Sequence, residues 1–429
     1  MTYEEATQFL FEQLPMYQRQ GKSAYKADLK TTIELDDYFR HPHKNYKTVH
    51  VAGTNGKGSV SHMLVSVLMQ AGYKTGLYTS PHLKDFRERI KINGIPIPKK
   101  EVISFVSDHV DIINKLKPSF FEMTAAMAFE YFRKENIDIA VIEVGMGGRL
   151  DSTNIITPDL SVITNIGLDH TQFLGNTKQL IAKEKAGIIK PHIPVLIGET
   201  DNETKDVFIE IAEQKEAPLS FAGEMYNIPF SAFSADNKQI MQVHSKEELV
   251  FKDLKVSLSG WYQRKNTVTA LASIEILKSI GYNIERSHIY DGFENVREST
   301  GLLGRWQIIG SNPRIICDTG HNEDGVRAVV EQIKNTPYSD LHIVWGTVND
   351  KDIHKILSLL PKDAKYYFTK ASIPRALDEK ILWQKAAKEG LKGNFYPDAV
   401  TALNTAKKEA TPNDLIFIGG STFIVADIL

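Results

Sequence analysis

Cysteine is almost missing from this chain of 429 residues, and Cys317 is the single example. One thiol excludes an intramolecular disulfide and fits a reducing compartment. It sits in the strand-like run Arg314-Ile-Ile-Cys-Asp318, where a buried core thiol is the default. An excess of one charge is missing too: 51 Lys and Arg face 53 Asp and Glu, for a net charge of −2. Nothing in that balance points to a nucleic-acid partner. Long apolar runs are absent, and no stretch approaches the length of a membrane span. The start, Met1-Thr-Tyr-Glu-Glu-Ala, lacks the basic residues and apolar core of a signal peptide. The expectation is a cytoplasmic protein with no membrane partner. Internal repeats and low-complexity tracts are absent as well.

What is present describes an ordinary globular protein, 42% hydrophobic and 24% charged, and too long for one core, so two or three domains are expected. Apolar runs alternate with helical segments. Strands are predicted at Lys47–Ala52, Thr75–Thr79, Ile139–Val144, Leu160–Ile166 and Val195–Gly198. Helices are predicted at Val60–Gln70, Lys100–Lys115, Thr124–Glu135 and Thr177–Ile188. This alternation argues for an α/β fold with a mostly parallel sheet, whose ligands bind beyond the carboxyl ends of the strands. Short alternating pieces between Ala222 and Ser259 predict a small antiparallel excursion, and a helix follows from Asn266 to Ile280. The segment 295–304 reads as a linker. A second, smaller Rossmann-like α/β pattern comes after it, with strands at Trp306–Ile309, Ile315–Cys317, His342–Trp345, Tyr366–Thr369 and Leu415–Ile418. Its helices start near Glu323, Asp352, Asp378 and Ala399. The expected domains are residues 1–297 and 298–429, with a cleft between them.

The most informative stretch is Gly53-Thr-Asn-Gly-Lys-Gly-Ser59. An apolar strand leads into it and an amphipathic helix leaves it. Glycines let backbone N–H groups approach an anion, and the helix N-terminus adds partial positive charge. Lys57 can reach the outer phosphates, and the Ser59 hydroxyl is placed to ligate magnesium. The general phosphate-loop pattern wants Ser or Thr directly after Lys, whereas Gly58 intervenes here. The alternative is a plain glycine turn, but the context on both sides favours a nucleotide, ATP before others.

Other polar residues end predicted strands. Glu143 closes Ile139-Ala-Val-Ile and could hold magnesium or simply cap the strand. His170, after Asn165-Ile-Gly-Leu-Asp169, could be a ligand or a structural histidine. Lys183-Glu184-Lys185 reads as a solvated helical face. Thr79-Ser-Pro-His-Leu-Lys-Asp-Phe-Arg-Glu-Arg89 could close on an anionic substrate or be a solvated connection. Gly304-Arg305-Trp306 and Asp318-Thr-Gly-His321-Asn322 could clamp a phosphate or a base, or be a surface arginine and a capped helix start.

Together these pieces resemble the folylpolyglutamate synthase and dihydrofolate synthase family, which is related to the Mur ligases. The resemblance spans essentially the whole chain. It rests on the Gly53–Ser59 loop, Thr79-Ser-Pro-His-Leu83, Glu143-Val-Gly-Met-Gly-Gly-Arg-Leu-Asp-Ser-Thr-Asn154, Asn165–His170, Glu184-Lys-Ala-Gly-Ile188 and Leu258-Ser-Gly-Trp-Tyr-Gln-Arg-Lys-Asn266. Gly58 is itself a mark of this group. The resemblance implies an N-terminal ATPase domain, a C-terminal Rossmann-like domain, and an ATP-dependent ligase that adds L-glutamate to dihydropteroate or folates through an acyl phosphate. Implied cofactors are ATP and magnesium, with a monovalent cation as an optional addition. Implied nucleotide contacts are Asn55, Gly56, Lys57, Gly58, Ser59, Asn266, Arg305, Asp318 and His321. Implied metal ligands are Ser59, Ser80, Glu143, His170 and a carbamylated Lys185. Pterin-side contacts would fall on Phe121, Glu122, Leu150, Asp151 and Ser152. Catalytic roles fall on Lys57, His170, Lys185 and His321. The partners are small molecules, and a monomer is expected. Two departures stand out. The family's usual Asp-Gly-Ala-His-Asn-Pro appears as Asp318-Thr-Gly-His-Asn-Glu323, and the segment Gln20–Lys26 matches the usual pterin-contacting pattern poorly. The rival readings are a Mur-type amino-acid ligase and a phosphate-loop regulatory ATPase. The Gly58 insertion argues against the first, and the second α/β pattern against the other.

Overall fold

A computed structural model describes residues 1–15, 28–349 and 353–429. The Gln20–Lys26 segment and the helix start expected near Asp352 lie outside the described residues. Chain contacts define two units, Met1–Ser257 with Gln263–Leu302, and Leu258–Tyr262 with Leu303–Leu429.

The first unit is built on eight strands: β1 (Lys47–Ala52), β2 (Thr75–Tyr78), β3 (Ile90–Ile92), β4 (Ile95–Pro96), β5 (Ile139–Glu143), β6 (Leu160–Ile163), β7 (Val195–Ile197) and β8 (Leu219–Phe221). Their order is β4-β3-β2-β5-β1-β6-β7-β8. β3 pairs antiparallel with both β2 and β4 at one edge, and the remaining neighbours pair parallel. Strands buried on both faces call for mostly apolar runs, and β5, β6 and β7 carry them, with Ser161 in β6 and Glu143 at the end of β5 the polar residues. Val51 lies opposite Glu143 on one side and Val162 on the other. That register brings the loops after β1, β5 and β6 out at the same sheet edge, where the parallel-sheet rule puts ligands. The expected antiparallel excursion is a separate three-stranded sheet of β9 (Asn227–Phe233), β10 (Gln239–Ser245) and β11 (Glu248–Val256).

The second unit has a six-stranded sheet of β12 (Gln307–Ser311), β13 (Arg314–Cys317), β14 (Leu341–Trp345), β15 (Lys365–Phe368), β16 (Lys392–Phe395) and β17 (Leu415–Gly419). The order is β12-β13-β17-β14-β15-β16, and β12 alone runs antiparallel. Cys317 is fully buried there.

Four local expectations need correction. The helix Lys57–Gln70 is not amphipathic in place, because every residue from Ser59 to Leu68 is buried. The helices Gln263–Ser279 and Arg286–Glu294 cover its outer side. Ser66 Oγ donates to the Gly292 carbonyl at 2.7 Å, so its small polar residues meet backbone rather than water. The predicted helix Lys100–Lys115 is two helices, Lys99–Asp108 and Val110–Leu116, broken where His109 leaves helical geometry. Val296–Thr300 is a helix inside the expected linker, with the Thr300 carbonyl accepting from buried Lys91 at 2.8 Å. Lys185 is not on a solvated face: it is 4% exposed, while neighbouring Lys183 points to water.

Candidate functional site

The loop after β1 depends on two glycines. Gly53 has φ +148°, and a Cβ there would lie 1.8 Å from Thr164 Oγ1. Gly56 has φ +83°, and its Cβ would lie 2.3 Å from Asn266 Oδ1. Only glycine admits this backbone and these neighbours. The loop is tied to the β6 exit. Asn55 N donates to Asn165 Oδ1 at 2.9 Å, Thr54 N donates to the Asn165 carbonyl at 3.0 Å, and Thr164 Oγ1 donates to the Asn55 carbonyl at 2.6 Å. Gly56 is the N-cap of the helix that begins at Lys57 and carries no capping side chain, so the first-turn N–H groups keep their role as anion donors.

Two lysines converge on one carbonyl. Lys57 Nζ donates to the Gly53 oxygen at 3.1 Å and to the Thr54 oxygen at 3.3 Å. Lys185 Nζ donates to the same Gly53 oxygen at 2.8 Å. Burial, together with the Lys57 cation, pulls the Lys185 amine down to about 7, against the counter-pull of Asp169 and Asp151. An amine there is substantially neutral at physiological pH and therefore nucleophilic. Loop packing holds Lys185 in place: Arg149 N donates to the Glu184 carbonyl at 2.8 Å, and the Arg149 guanidinium pairs with the Glu184 carboxylate at 2.9 Å.

Glu143 ends β5 with 4% exposure, and the Ser80 amide donates to its Oε2 at 3.3 Å. Ser59 is buried, and its Oγ accepts from Gln263 Nε2 at 3.2 Å. His170 takes a left-handed backbone, φ +49°, ahead of the short helix Thr171–Leu174. A buried carboxylate with two serine hydroxyls is an oxygen-rich donor set, and magnesium takes oxygen ligands. The residues fit that ion.

The expected basic loop 79–89 is largely neutralised from within. Arg87 pairs with Asp85 at 2.8 Å, and Glu88 accepts from the amides of Leu83, Lys84 and Asp85. Arg89, a residue sequence reasoning left among its neighbours, is 2% exposed. Its Nε donates to His82 Nδ1 at 2.7 Å, and its guanidinium lies 5.0 Å from the Phe120 ring centroid. Burial holds His82 near 3 and lowers Arg89 to about 10. Its terminal Nη2 has no partner among the described residues.

The proposed pterin-side residues separate into two kinds. Asp151 is buried and its oxygens accept from the amides of Met146 and Thr153, each at 3.0 Å, so it locks the glycine turn after β5. Burial raises its carboxyl above the usual range. Phe121 packs against Gly145, where a Cβ would meet its ring at 2.4 Å, and Leu150 is half-buried. Glu122 is in the first turn of the helix Phe120–Lys134 and forms a reciprocal cap with Ser119. Glu122 and Ser152 line a cavity with Thr32, Asp36, Phe129 and Ile155, whose free volume is about 10 Å³. That is room for one water, so a larger ligand entering there must displace side chains.

In the second unit, Asp318 organises the turn after β13. It is 3% exposed; Oδ2 accepts from Tyr262 Oη at 2.5 Å and Trp306 N at 2.7 Å, and Oδ1 accepts from Gly320 N at 2.7 Å. Burial raises its carboxyl. Arg305 Nη1 donates to Thr319 Oγ1. His321 Nδ1 meets the Thr319 carbonyl at 2.9 Å. A carbonyl only accepts, so Nδ1 carries the proton and neutral His321 has its lone pair on Nε2. Asn322 caps the helix Glu323–Lys334, and Glu323 pairs with Arg327 at 2.8 Å. Asn266 belongs to the first unit and donates to Gln263 Oε1 at 2.7 Å.

Fold and loop define a phosphate-loop nucleotide enzyme. Residues 51–274 match the Mur ligase middle domain, and residues 304–422 match the Mur ligase glutamate ligase domain. The dihydrofolate synthase/folylpolyglutamate synthase of Bacillus subtilis is 35% identical over 421 residues, 95% of each chain. A probable bifunctional folylpolyglutamate synthase/dihydropteroate synthase of Haloferax volcanii is 32% identical over all of this chain, which spans only 50% of that longer relative. The solved E. coli FolC in complex with DHPP and ADP superposes with TM-score 0.87 at 27% identity, over 100% of this chain and 97% of that one. A bifunctional folylpolyglutamate synthase/dihydrofolate synthase with Mn, AMPPNP and L-glutamate bound gives TM-score 0.83 at 26% identity, over 100% and 97%. The chain belongs to the folylpolyglutamate synthase/dihydrofolate synthase family of the Mur ligase superfamily. It is an ATP-dependent ligase.

Proposed function

We propose that this chain joins the amine of L-glutamate to the carboxylate of dihydropteroate, of a reduced folate, or of both. The observation that carries the reading is the convergence of Lys57 and Lys185 on the Gly53 carbonyl, beside a glycine loop that opens a helix. When triphosphate enters, the N–H groups of Gly56 to Ser59 bind its oxygens beside Asn55, and Lys57 exchanges loop carbonyls for phosphate. The acceptor carboxylate attacks the γ-phosphorus, ADP leaves, and an acyl phosphate forms. The neutral amine of glutamate then attacks the acyl carbon, phosphate leaves and an amide remains. His321 Nε2 is proposed to take the amine proton. Ser59, Ser80, Glu143 and His170 are proposed to hold magnesium, which neutralises triphosphate charge when bound. Arg305 and Asp318 are proposed nucleotide contacts of the second unit, and Asn266 of the first. Phe121, Glu122, Leu150 and Ser152 are proposed on the pterin side.

Lys185 is proposed to be carbamylated: its neutral amine adds to CO₂ and releases a proton, leaving a carboxylate-like group. The depressed basicity of that amine supports this step. A monomer in the cytoplasm completes the reading. Among the described residues no helix is long and apolar enough to cross a membrane.

The decisive assay follows ADP release with ATP, magnesium and glutamate, comparing dihydropteroate with tetrahydrofolate and identifying products by mass. Turnover with both identifies a bifunctional synthase; turnover with one identifies a specialised enzyme. No product from either, with ATP still bound, overturns the reading. His170→Ala should raise the magnesium concentration needed for half-maximal rate about tenfold or more; an unchanged titration removes His170 from the metal site.

A further inference from the structure

Away from the glycine loop, the end of the helix Lys30–Tyr38 turns sharply back on itself. Arg40 and His41 both have positive φ, and the chain then enters the short Pro42–Asn45 helical turn that leads to β1. This reversal aims two imidazoles at one carboxylate. His41 Nδ1 lies 2.6 Å from Asp36 Oδ2, and His43 Nε2 lies 3.2 Å from the same oxygen. All three donor atoms fall within 4.8 Å of one another, the one such grouping among the described residues.

A separate observation points to a ligand. The Asp36 side chain is 9% exposed, and its other oxygen, Oδ1, is buried without a hydrogen-bond partner among the described residues. Leaving a buried carboxylate oxygen unsatisfied is costly, because it has lost its water and gained no donor. A cation bound at that carboxylate would offset this.

We propose that Asp36, His41 and His43 form a second metal site, for a borderline divalent cation of the zinc type. Two imidazoles and one carboxylate suit zinc, cobalt or nickel rather than magnesium, which wants an oxygen shell. Bonds of about 2.0–2.1 Å in a tetrahedron put ligand atoms roughly 3.3 Å apart. The 3.2 Å separation is already close to that, whereas the 2.6 Å one must widen by about 0.7 Å as the ion replaces the N–H protons. His41 is 41% exposed on its side chain, which leaves water access for a fourth ligand. Its Nε2 lies 3.7 Å from Asp37 Oδ1, within easy reach of the carboxylate–histidine–metal arrangement. The ion would clip the helix end to the turn that feeds β1. It is independent of the magnesium site proposed at Ser59, Ser80, Glu143 and His170.

The test uses the full chain, stripped with chelator and held in saturating magnesium. Cobalt(II) is titrated and the visible absorption of tetrahedral cobalt is recorded. One equivalent with an intense band is expected, with zinc displacing it. His41→Asn and His43→Gln should each weaken cobalt binding at least tenfold. Asn tolerates positive φ, so His41→Asn should keep the melting temperature of the chelated wild type. Zinc should raise that temperature in wild type and leave His41→Asn unmoved. No tetrahedral band at one equivalent, or the same titration in wild type and His41→Asn, overturns the site.

Discussion

The glycine loop after β1 and the Asp318 turn after β13 each leave the carboxyl end of a strand but are held together in opposite ways. In the first, cationic side chains fold back on backbone carbonyls: Lys57 and Lys185 share the Gly53 oxygen. In the second, a buried carboxylate is saturated by Tyr262, Trp306 and Gly320. Bonds from a lysine to a loop carbonyl can be exchanged for phosphate at little cost. Bonds from three donors to a buried carboxylate cannot be lost without leaving donors unsatisfied. The first loop is therefore built to change partners, and the second to stay fixed.

The contrast makes predictions of decreasing size. Lys57→Ala should lower ADP formation about a thousandfold, near 4 kcal/mol of transition-state stabilisation. Its unfolding free energy should move by less than about 1 kcal/mol. Turnover near wild type would remove Lys57 from phosphate binding.

Asp318→Asn should do the reverse and destabilise its unit by about 2–4 kcal/mol, because the amide turns a donor towards other donors. Calorimetry that resolves the second unit would show this as a lowered transition. An unmoved transition would mean that the Asp318 bonds are not structural.

Lys185 tests the comparison by pH. Its folded value, about 7, lies below the ordinary 10.5. Between those values the unfolded chain holds more protons than the folded one. Stability of the unmodified chain should therefore rise with pH across that window, by up to a few kcal/mol. Below about pH 7 the whole cost of burying the charge is present. Denaturant titrations without bicarbonate should show the slope in wild type and lose it in Lys185→Met. An equal slope in both would assign the effect to other groups.

The smallest effect is expected at Glu323. Glu323→Pro loses the Arg327 pair and a favourable charge at the helix start, together a few tenths of a kcal/mol to about 1. It gains a comparable amount from a stiffer unfolded chain. A net change within about 0.5 kcal/mol by thermal melting is expected, and a loss above 2 kcal/mol would show that the loop needs glutamate here.

Much of this was legible in the residues. The run Lys47–Ala52 and the glycines behind it announce a strand, a phosphate loop and a helix start, because backbone spacing and glycine freedom are local properties. Cys317 reads as a core thiol for the same reason. The helix Lys57–Gln70 was harder, since its serines mimic a polar face that distant helices cover. The local charge pattern alone puts Lys185 on a solvated face, and only the family resemblance gives it an inward role. Its neighbours Lys183 and Glu184 are solvated or paired at the surface, and nothing local says that the next side chain turns inward.

The sequence by itself determined the class: alternating apolar runs make a parallel α/β sheet, and glycines with one lysine and one serine make an anion cradle. Tertiary structure alone decided which charges are buried. Tyr262 and Asp318 are 56 positions apart, and Gln263 and Ser59 are 204 apart. A carboxylate or an amine acquires its chemistry from what surrounds it, and only the folded chain brings those partners within hydrogen-bond reach.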